Sequence, residues 1–260
     1  GEGIVSTPAD FGTIGAAPSQ PELQDWLACE LADSGWSIKR LHRLMLTSNV
    51  YRQQSRIDLD SHASALAADP DNRLLWRQRM RRLEGEAVRD AVLQTAGELD
   101  DSQFGPPIPL ARRPDGEVNI ADGNNGRRRS VYLQVLRANP LTLLQSFDQP
   151  VMETNCTRRT QSTVATQALT QLNSEFMRQA AETMATNLQP IVTESQIPNA
   201  VLAAFGRPAT DAERHDLTQF ATSQEQVYRG QGDATEVARR RSLVDLCQIL
   251  LSANEFIYID

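Results

Sequence analysis

The stretch DPDNRLLWRQRMRRLEGEAVRDAVLQTAGEL, residues 69–99, has the longest sustained helical period in the chain. Asp69 is a favourable amino-terminal cap, and Pro70 suits the first position of a helix. Apolar or small side chains then recur at steps of three and four, which places them on one face of a helix. They are Trp76, Met80, Leu83, Ala87, Ala91 and Thr95. The pattern predicts one central helix over 69–99.

The charged residues of this stretch predict a structural ion network. The network comprises Arg81, Arg82, Glu84, Glu86 and Asp90. Several arginines stand three or four positions apart, so we expect carboxylates elsewhere in the fold to neutralise some of them. Gly85 costs about 1 kcal/mol relative to alanine inside a helix. Its presence therefore predicts the close approach of another backbone.

The composition excludes some classes of protein. The chain has 260 residues and a net charge of −7, which disfavours general nucleic-acid binding because that requires phosphate neutralisation. No apolar run approaches the length needed to span a membrane. The three cysteines and three histidines are dispersed, so they indicate neither a metal site nor a haem-attachment motif. Lys39 is the single lysine beside 25 arginines, whose planar guanidinium groups suit carboxylates, sulfates and phosphates.

The chain as a whole predicts a mainly α fold, an irregular multi-helix domain with a small two-stranded β element near 118–136. Its strands are expected at 118–120 and 130–136, because 130–136 has the β-branched and aromatic content of a buried strand. Other helices are expected to begin near Ser19, Ser37, Leu141, Ser162 or Thr163, 194, Thr210 and Thr235, with capping boxes at Ser19–Glu22 and Thr210–Glu213 and a polar turn at 222–234. Their expected buried faces include Leu23, Trp26, Leu27 and Leu31 in the first helix, Ile38, Leu41, Leu44 and Met45 in the second, Leu169 and Leu172 after Ser162, and Leu243, Leu246, Leu250 and Leu251 in the last. We expect one domain over 1–260, with a possible subdivision into 1–99, 100–161 and 162–260.

The segment 148–163 is the candidate site. Cys156 lies near two arginines and shortly before a predicted helix, and both features lower the pKa of a thiol. An anion could be held by guanidinium and hydroxyl groups of the segment. These groups belong to Arg158, Arg159, Ser162, Thr163 and, from the preceding loop, Arg129. The alternative is structural: Arg158 and Arg159 would pair with Glu84, Glu86 or Asp90 and fix the segment to the central helix.

The candidates for catalysis are Cys156, Asp148 and Glu153. Cys156 would need a general base, and no residue spacing marks one. A two-carboxylate hydrolase using Asp148, Glu153 or Glu86 would depend on the separation of those side chains. The residues alone therefore leave the catalytic assignment open.

Several phrases, occurring in this order, resemble the domain-of-unknown-function family numbered 1553, which is abundant in planctomycete bacteria. They are GEGIVSTPADFG, PELQDWLACELADSGWSIKRLHRLMLTSNVYRQ, DPDNRLLWR, RRLEGEAVRDAVL, RRSVYLQV, FDQP, CTRRTQSTVATQALTQLN, FGRPATDAE and SANEFIYID. The resemblance implies the carboxy-terminal part of a large exported protein whose upstream domains are its partners; in the family these are usually a companion uncharacterised domain and often a cytochrome c-like domain. It thus implies an extracytoplasmic location, with any haem on upstream sequence and no cofactor in this chain. The chain lacks the Asn-Arg-x-Trp helix that precedes this pattern in the family, so we expect an exposed apolar patch.

Two functions of different classes follow. The first is a binding or scaffold module of a large exported bacterial protein, linked to redox or polysaccharide metabolism. The alternative is an extracytoplasmic enzyme that acts on an anionic or carbohydrate substrate. The first predicts an arginine-lined surface without a deep pocket, whereas the second predicts a concave pocket near 148–163 with perturbed titratable groups.

Overall fold

The computed structural model describes residues 3–259 apart from 59, 122, 124, 151–155, 157, 158, 160 and 189–192, and it omits the side chains of 193–195. Its helices are α1 (Pro21–Asp33), α2 (Ile38–Thr47), α3 (Ala63–Ala68), α4 (Gly85–Ala96), α5 (Thr142–Ser146), α6 (Ala165–Asn173), α7 (Glu175–Asn187), α8 (Thr193–Phe205), α9 (Asp211–Gly230), α10 (Thr235–Ser252) and α11 (Asn254–Ile257). The strands are β1 (Arg81–Arg82), β2 (Leu110–Arg112), β3 (Val118–Ile120) and β4 (Tyr258–Ile259), with a 3₁₀ turn at Ser130–Tyr132. The mainly helical prediction is confirmed. No helix in the described part of the chain is long and apolar enough to cross a membrane.

Two compact units share these elements. The first contains residues 1–82 and 258–260, and the second contains 83–257. In the first unit β1 pairs antiparallel with β4, Arg81 opposite Ile259 and Arg82 opposite Tyr258. The single domain over 1–260 and its three-part subdivision stay predictions.

The helix predicted over 69–99 is wrong in its first half. The Asp69 carboxylate accepts hydrogen bonds from the backbone N–H groups of Arg73 (2.9 Å) and Leu74 (2.7 Å), which closes a turn instead of starting a helix. Asn72 and Leu75 have positive φ angles of 53° and 58°, which no right-handed helix accommodates. The helix α4 therefore begins only at Gly85.

The predicted ends of α1 and α2 are largely right, but their predicted buried faces are wrong. Ser37 caps α2 by accepting from the N–H of Arg40, and Gly35 ends the preceding helix with a φ of 71°. The predicted capping box at Ser19 is absent, because α1 starts at Pro21 after an uncapped Gln20. None of the described residues of α1 and α2 is buried. The expected apolar patch stays a prediction, although large apolar side chains of this unit are exposed.

The core of the second unit lies where α10 packs on α7 and α9, and α4 packs on α7. The predicted buried residues of the last helix are confirmed; they are Leu243, Leu246, Leu250 and Leu251. The apolar side of α4 contributes Val88, Val92, Leu93 and Ala96 to this core. The facing side of α7 contributes Met177, Ala180, Ala181 and Met184.

Three predicted elements of the second unit differ from the structure. The long helix expected after Ser162 is interrupted at Ser174, so its register changes: Gln167 and Gln171 are buried while the expected core residues Leu169 and Leu172 are exposed. The helix capped by Thr210 and Glu213 is confirmed at its start, yet it continues to Gly230 through a segment predicted to be a polar turn. The strand predicted at 130–136 is wrong.

The two-stranded element itself exists with a different partner. The predicted strand β3 is correct, and it pairs antiparallel with β2, Leu110 opposite Ile120 and Arg112 opposite Val118. The segment 130–136 instead begins with the 3₁₀ turn and forms an isolated bridge between Leu133 and Ile108. Of its apolar residues, Leu133 is buried at this bridge, whereas Val131 and Val135 are exposed.

Gly85 has the close contact that its position in the sequence predicts. A Cβ atom placed on it would lie 2.9 Å from Cβ of Phe147 and 3.4 Å from Cα of Leu144. Since the first distance is shorter than carbon atoms tolerate, α4 and α5 could not keep their present separation around an alanine.

We predict that Gly85→Ala lowers the free energy of unfolding by about 1–3 kcal/mol, the usual cost of overpacking. The matched control is Gly230→Ala at the end of α9, where an added Cβ would meet no atom within 4 Å. That variant should be neutral or more stable by up to about 1 kcal/mol. Urea denaturation measures both, and equal stabilities would contradict the close contact at Gly85.

Candidate functional site

A buried arginine on α4 organises the irregular segment that follows it. Arg89 is 1% exposed, and its Nη1 donates to the carbonyl oxygen of Arg128 (3.0 Å) and to Oγ of Ser130 (3.1 Å). Its Nη2 donates to the carbonyl oxygen of Gly126. One guanidinium group thus binds three acceptors in a loop about forty positions away along the chain.

Asp90 completes this attachment from the same helix. Its Oδ1 accepts hydrogen bonds from the N–H (2.8 Å) and the hydroxyl (2.6 Å) of Ser130, and it lies 3.5 Å from Nη1 of Arg89. Burial lowers the pKa of Arg89 to about 10, and the charge of Asp90 opposes that decrease. The guanidinium therefore stays charged at neutral pH, and it can remain buried because acceptors surround it.

Arg128 extends the network outward from the Arg89 attachment. Its guanidinium donates to the carbonyl oxygens of Pro106 (3.2 Å) and Phe104, and its Cζ lies 4.0 Å from the centre of the Tyr132 ring. The Tyr132 hydroxyl in turn accepts from the N–H of Phe104 (3.0 Å). Residues 104–106 and 126–129 lie outside the helices and strands, and the side chains of Arg89 and Arg128 donate hydrogen bonds to their carbonyl groups.

A cleft of about 700 Å³ is lined by residues of α4, of α7 and of the stretch between Arg113 and Arg127. We call it the α4–α7 cleft. Its volume is within the usual range for small-molecule sites, so the second unit does not present the surface without a deep pocket that was expected of a binding module. The apolar lining of the cleft includes Leu93, Ile120, Leu141, Leu143 and Phe176. Its neutral hydrogen-bonding side chains are Asn119, Thr170, Ser174, Gln179, Thr183 and Thr186.

The carboxylates that line the α4–α7 cleft are paired with arginines. Arg113 contacts Glu175 (2.7 Å) and Glu117 (3.6 Å). The other two pairs are Arg127 with Glu98 and Arg178 with Glu182, each at 2.9 Å. The hydrogen bond to Glu175 raises the pKa of Arg113. The charges of the cleft are thus largely balanced within the protein.

An aromatic ring lies beside these polar groups. Phe176 is half-buried on α7, and Cζ of Arg89 lies 5.7 Å from the centre of its ring. The buried cation therefore both fixes the loop and positions one wall of the cleft.

The predicted candidate segment has a separate geometry. Nη1 of Arg159 lies 3.0 Å from Oε2 of Glu84 and 2.8 Å from Oε2 of Glu86, which is the pairing that the structural interpretation expects. The hydrogen bond to Glu86, with smaller contributions from the charges of Glu84 and Cys156, raises the pKa of Arg159. Arg159 and Gln149 also border a second cavity of about 520 Å³, beside Glu84, Glu86 and Asp90.

Asp148 and Ser162 bind each other. The N–H (2.8 Å) and hydroxyl (2.7 Å) of Ser162 donate to the two oxygens of the Asp148 carboxylate, and Asp148 has a φ of 62°. Ser162 therefore closes a loop and does not cap a helix, since the residue before α6 is Val164. Thr163, beside it, is exposed.

The remaining predicted site residues are dispersed. Arg129 donates from Nε to Asp101 (3.0 Å), and Cys156 is exposed. Glu153 and Arg158 lie outside the described residues. Arg81 and Arg82 lie on β1, whereas Glu84, Glu86 and Asp90 lie at or within the start of α4. Anion binding and catalysis by this segment stay predictions. Among the described residues no group of three His, Cys, Asp or Glu side chains could hold a metal.

Sequence reasoning missed Arg89, Asn119, Phe176 and Gln179. A signal for Arg89 was present: it stands between Val88 and Val92 on the face of α4 that is actually buried. A charged residue in the register of an apolar face indicates a buried, fully hydrogen-bonded group. The cleft residues carry no such signal, because they come from elements that are distant in sequence.

Comparisons with known proteins identify a family and little else. The family model described as "PSD1: Protein of unknown function (DUF1553)" matches residues 1–221. The chain is also similar to a protein named "Chemotaxis protein MotC" from Rhizobium meliloti (strain 1021), with 38% identity over 84 residues. That match covers 32% of this chain, and it spans about a fifth (19%) of the length of the curated relative. No solved structure matches the chain.

We predict that the three thiols differ in alkylation. Cys29 and Cys156 are exposed, whereas Cys247 is buried in α10 and burial raises its pKa to about 12. At pH 8 only about one in 10⁴ Cys247 side chains would be thiolate. Iodoacetamide followed by peptide mass spectrometry should show labelling of Cys29 and Cys156 in the native protein, and of Cys247 only after denaturation. Native labelling of Cys247 at the rate of Cys29 would contradict the described core.

Proposed function

The chain belongs to the PSD1 family of proteins of unknown function (DUF1553), and we propose that it is a non-catalytic binding module whose α4–α7 cleft takes a neutral carbohydrate. The observation that supports the proposal is the lining of this cleft. Neutral amide and hydroxyl groups stand beside an aromatic ring and aliphatic side chains in about 700 Å³. A sugar presents the same combination, hydroxyl groups at its edges and apolar C–H groups on its faces.

The charge balance of the cleft favours a neutral ligand. Glu98, Glu117, Glu175 and Glu182 each face an arginine at 3.6 Å or less. An anionic or cationic ligand would have to compete with these internal partners. A neutral ligand can instead use the remaining hydrogen-bonding capacity of both partners without separating them.

The same pairing disfavours glycoside hydrolysis in this cleft. General-acid catalysis needs a carboxylic acid whose pKa is raised, as happens in an apolar environment without a cationic partner. An arginine within hydrogen-bonding distance has the opposite effect, because it favours the ionised form. Binding without turnover is therefore the function that we assign to the cleft.

The context of the module comes from the family resemblance. We propose an extracytoplasmic location within a larger exported bacterial protein, linked to redox or polysaccharide metabolism, with the upstream domains as partners of this chain and any haem on those domains. Carbohydrate binding favours the link to polysaccharide metabolism over the link to redox metabolism, because a binding module would hold the larger protein on a polysaccharide.

We predict that a panel of neutral tetrasaccharides built from hexose, pentose or N-acetylhexosamine units contains a ligand for the full chain. Asn119→Ala and Gln179→Ala should each weaken its binding about fivefold, because a net hydrogen bond contributes about 1 kcal/mol. Isothermal titration calorimetry measures the affinities. Gln226→Ala is the matched control, since Gln226 is an exposed amide on α9 outside the cleft.

Two results would overturn this assignment. If no sugar of the panel binds, the proposal of a neutral carbohydrate ligand is wrong. If the three variants bind with equal affinity, the ligand does not bind in the α4–α7 cleft. Release of reducing sugar during the titration, lost in Glu175→Gln, would establish the enzyme alternative instead.

A further inference from the structure

In the first unit, residues 69–77 form a turn held by side-chain hydrogen bonds, where a helix was expected. The Asn72 amide donates from Nδ2 to the carbonyl oxygen of Arg77 (2.7 Å), and its Oδ1 accepts from the N–H of Arg77 (3.3 Å). The carboxylate of Asp69 holds the other end through the N–H groups of Arg73 and Leu74. Two buried polar side chains thus fix residues 69–77, which we call the arginine turn.

The backbone of this turn is strained at Leu75, which costs conformational free energy. Leu75 has a φ of 58°, a region that leucine rarely occupies because its Cβ atom approaches the backbone. Strained residues of this kind cost about 1–3 kcal/mol and concentrate at ligand sites and switches. Leu75 also lines a cavity.

The cavity beside the arginine turn has a volume of about 780 Å³. Its charged lining consists of Arg73, Arg77, Arg79 and Asp71, and residues of the segments 3–6 and 16–19 complete the wall.

Two of these guanidinium groups differ from the arginines of the α4–α7 cleft. Within the described part of the chain, neither Arg73 nor Arg77 has a carboxylate partner, whereas Arg113 and Arg127 are both paired. The Arg77 side chain is positioned by stacking, with Cζ 5.1 Å from the centre of the Trp76 ring. The Trp76 Nε1 is itself fixed by donation to the carbonyl oxygen of Asp69 (2.9 Å).

Arg79 closes the same wall of the cavity. Its guanidinium donates to the carbonyl oxygen of Asp71, which orients it across the arginine turn. Planar guanidinium groups bind the oxygens of carboxylates, sulfates and phosphates through two parallel hydrogen bonds. Arg73 and Arg77, which have no carboxylate partner among the described residues, can each bind one oxyanion group of a ligand in this cavity.

We propose that this cavity binds a ligand with at least two oxyanion groups, such as a phosphate ester, a sulfate ester or a polycarboxylate. The site is separate from the α4–α7 cleft, so the proposal is independent of carbohydrate binding. It differs also from the anion site predicted around Arg159, whose guanidinium is occupied by Glu84 and Glu86.

The test is calorimetric titration of the full chain at low ionic strength with pyrophosphate, citrate and inorganic sulfate. We expect pyrophosphate or citrate to bind at least tenfold more tightly than sulfate, and the stronger of the two identifies the oxyanion class. Arg73→Gln should weaken that binding at least tenfold, because a hydrogen bond to a charged group contributes about 1.5–3 kcal/mol. Arg73→Lys should restore only part of it, because an ammonium group lacks the planar fork.

The control is Arg43→Gln, which removes an exposed arginine of α2 that does not line the cavity. It should leave the affinity unchanged, and Arg73→Gln should keep the melting temperature of the original chain, since the arginine turn is held by backbone groups of Arg73 and not by its side chain. Absence of binding by all three probes, equal affinity of Arg73→Gln and the original chain, or equal loss in Arg43→Gln would each overturn the proposal.

Discussion

The second unit depends on one buried cation. Arg89 is 1% exposed on the apolar face of α4, an environment that strongly disfavours charge unless every donor finds an acceptor. The acceptors are carbonyl and hydroxyl oxygens of residues 126–130. That segment has little regular structure, so its conformation is determined by the requirement to solvate the guanidinium. Asp90 adds two hydrogen bonds to the same segment through Ser130.

The candidate site follows from this attachment. Residues 126–130 are bridged to the segment before β2 by Arg128, and β3, which pairs with β2, contributes Asn119 and Ile120 to one wall of the α4–α7 cleft. Arg89 also contacts the ring of Phe176 from α7, the opposite wall. The arginines of this chain therefore serve two purposes: Arg113 and Arg159, among others, are neutralised by carboxylates and shape the fold, while Arg73 and Arg77 of the arginine turn line a cavity without carboxylate partners among the described residues.

Local signals in the sequence predicted the local structure well. The Thr210–Glu213 capping box and the leucines of α10 appear as expected, because caps and apolar periodicity depend on neighbouring residues. The helix start at Asp69 was wrong since an aspartate that can cap a helix can equally close a turn. Asn72 is a residue type that tolerates the left-handed region, but nothing in the sequence marks Leu75 for it. The strand at 130–136 was wrong because Leu133 alone forms a bridge, to the distant residue Ile108, while Val131 and Val135 are exposed. The cleft could not be predicted either, because its lining comes from elements that are distant in sequence.

The most direct measurement is hydrogen–deuterium exchange of Arg89→Met, which keeps the volume of the side chain and removes the cation. We expect the amide groups of 126–133 to exchange at least tenfold faster than in the original chain, because the carbonyl groups of this loop lose the donors that hold it. The same substitution at Arg240, an exposed residue of the cleft rim, should leave their exchange unchanged. Unchanged protection of 126–133 in Arg89→Met would contradict the claim that the buried guanidinium determines this part of the fold.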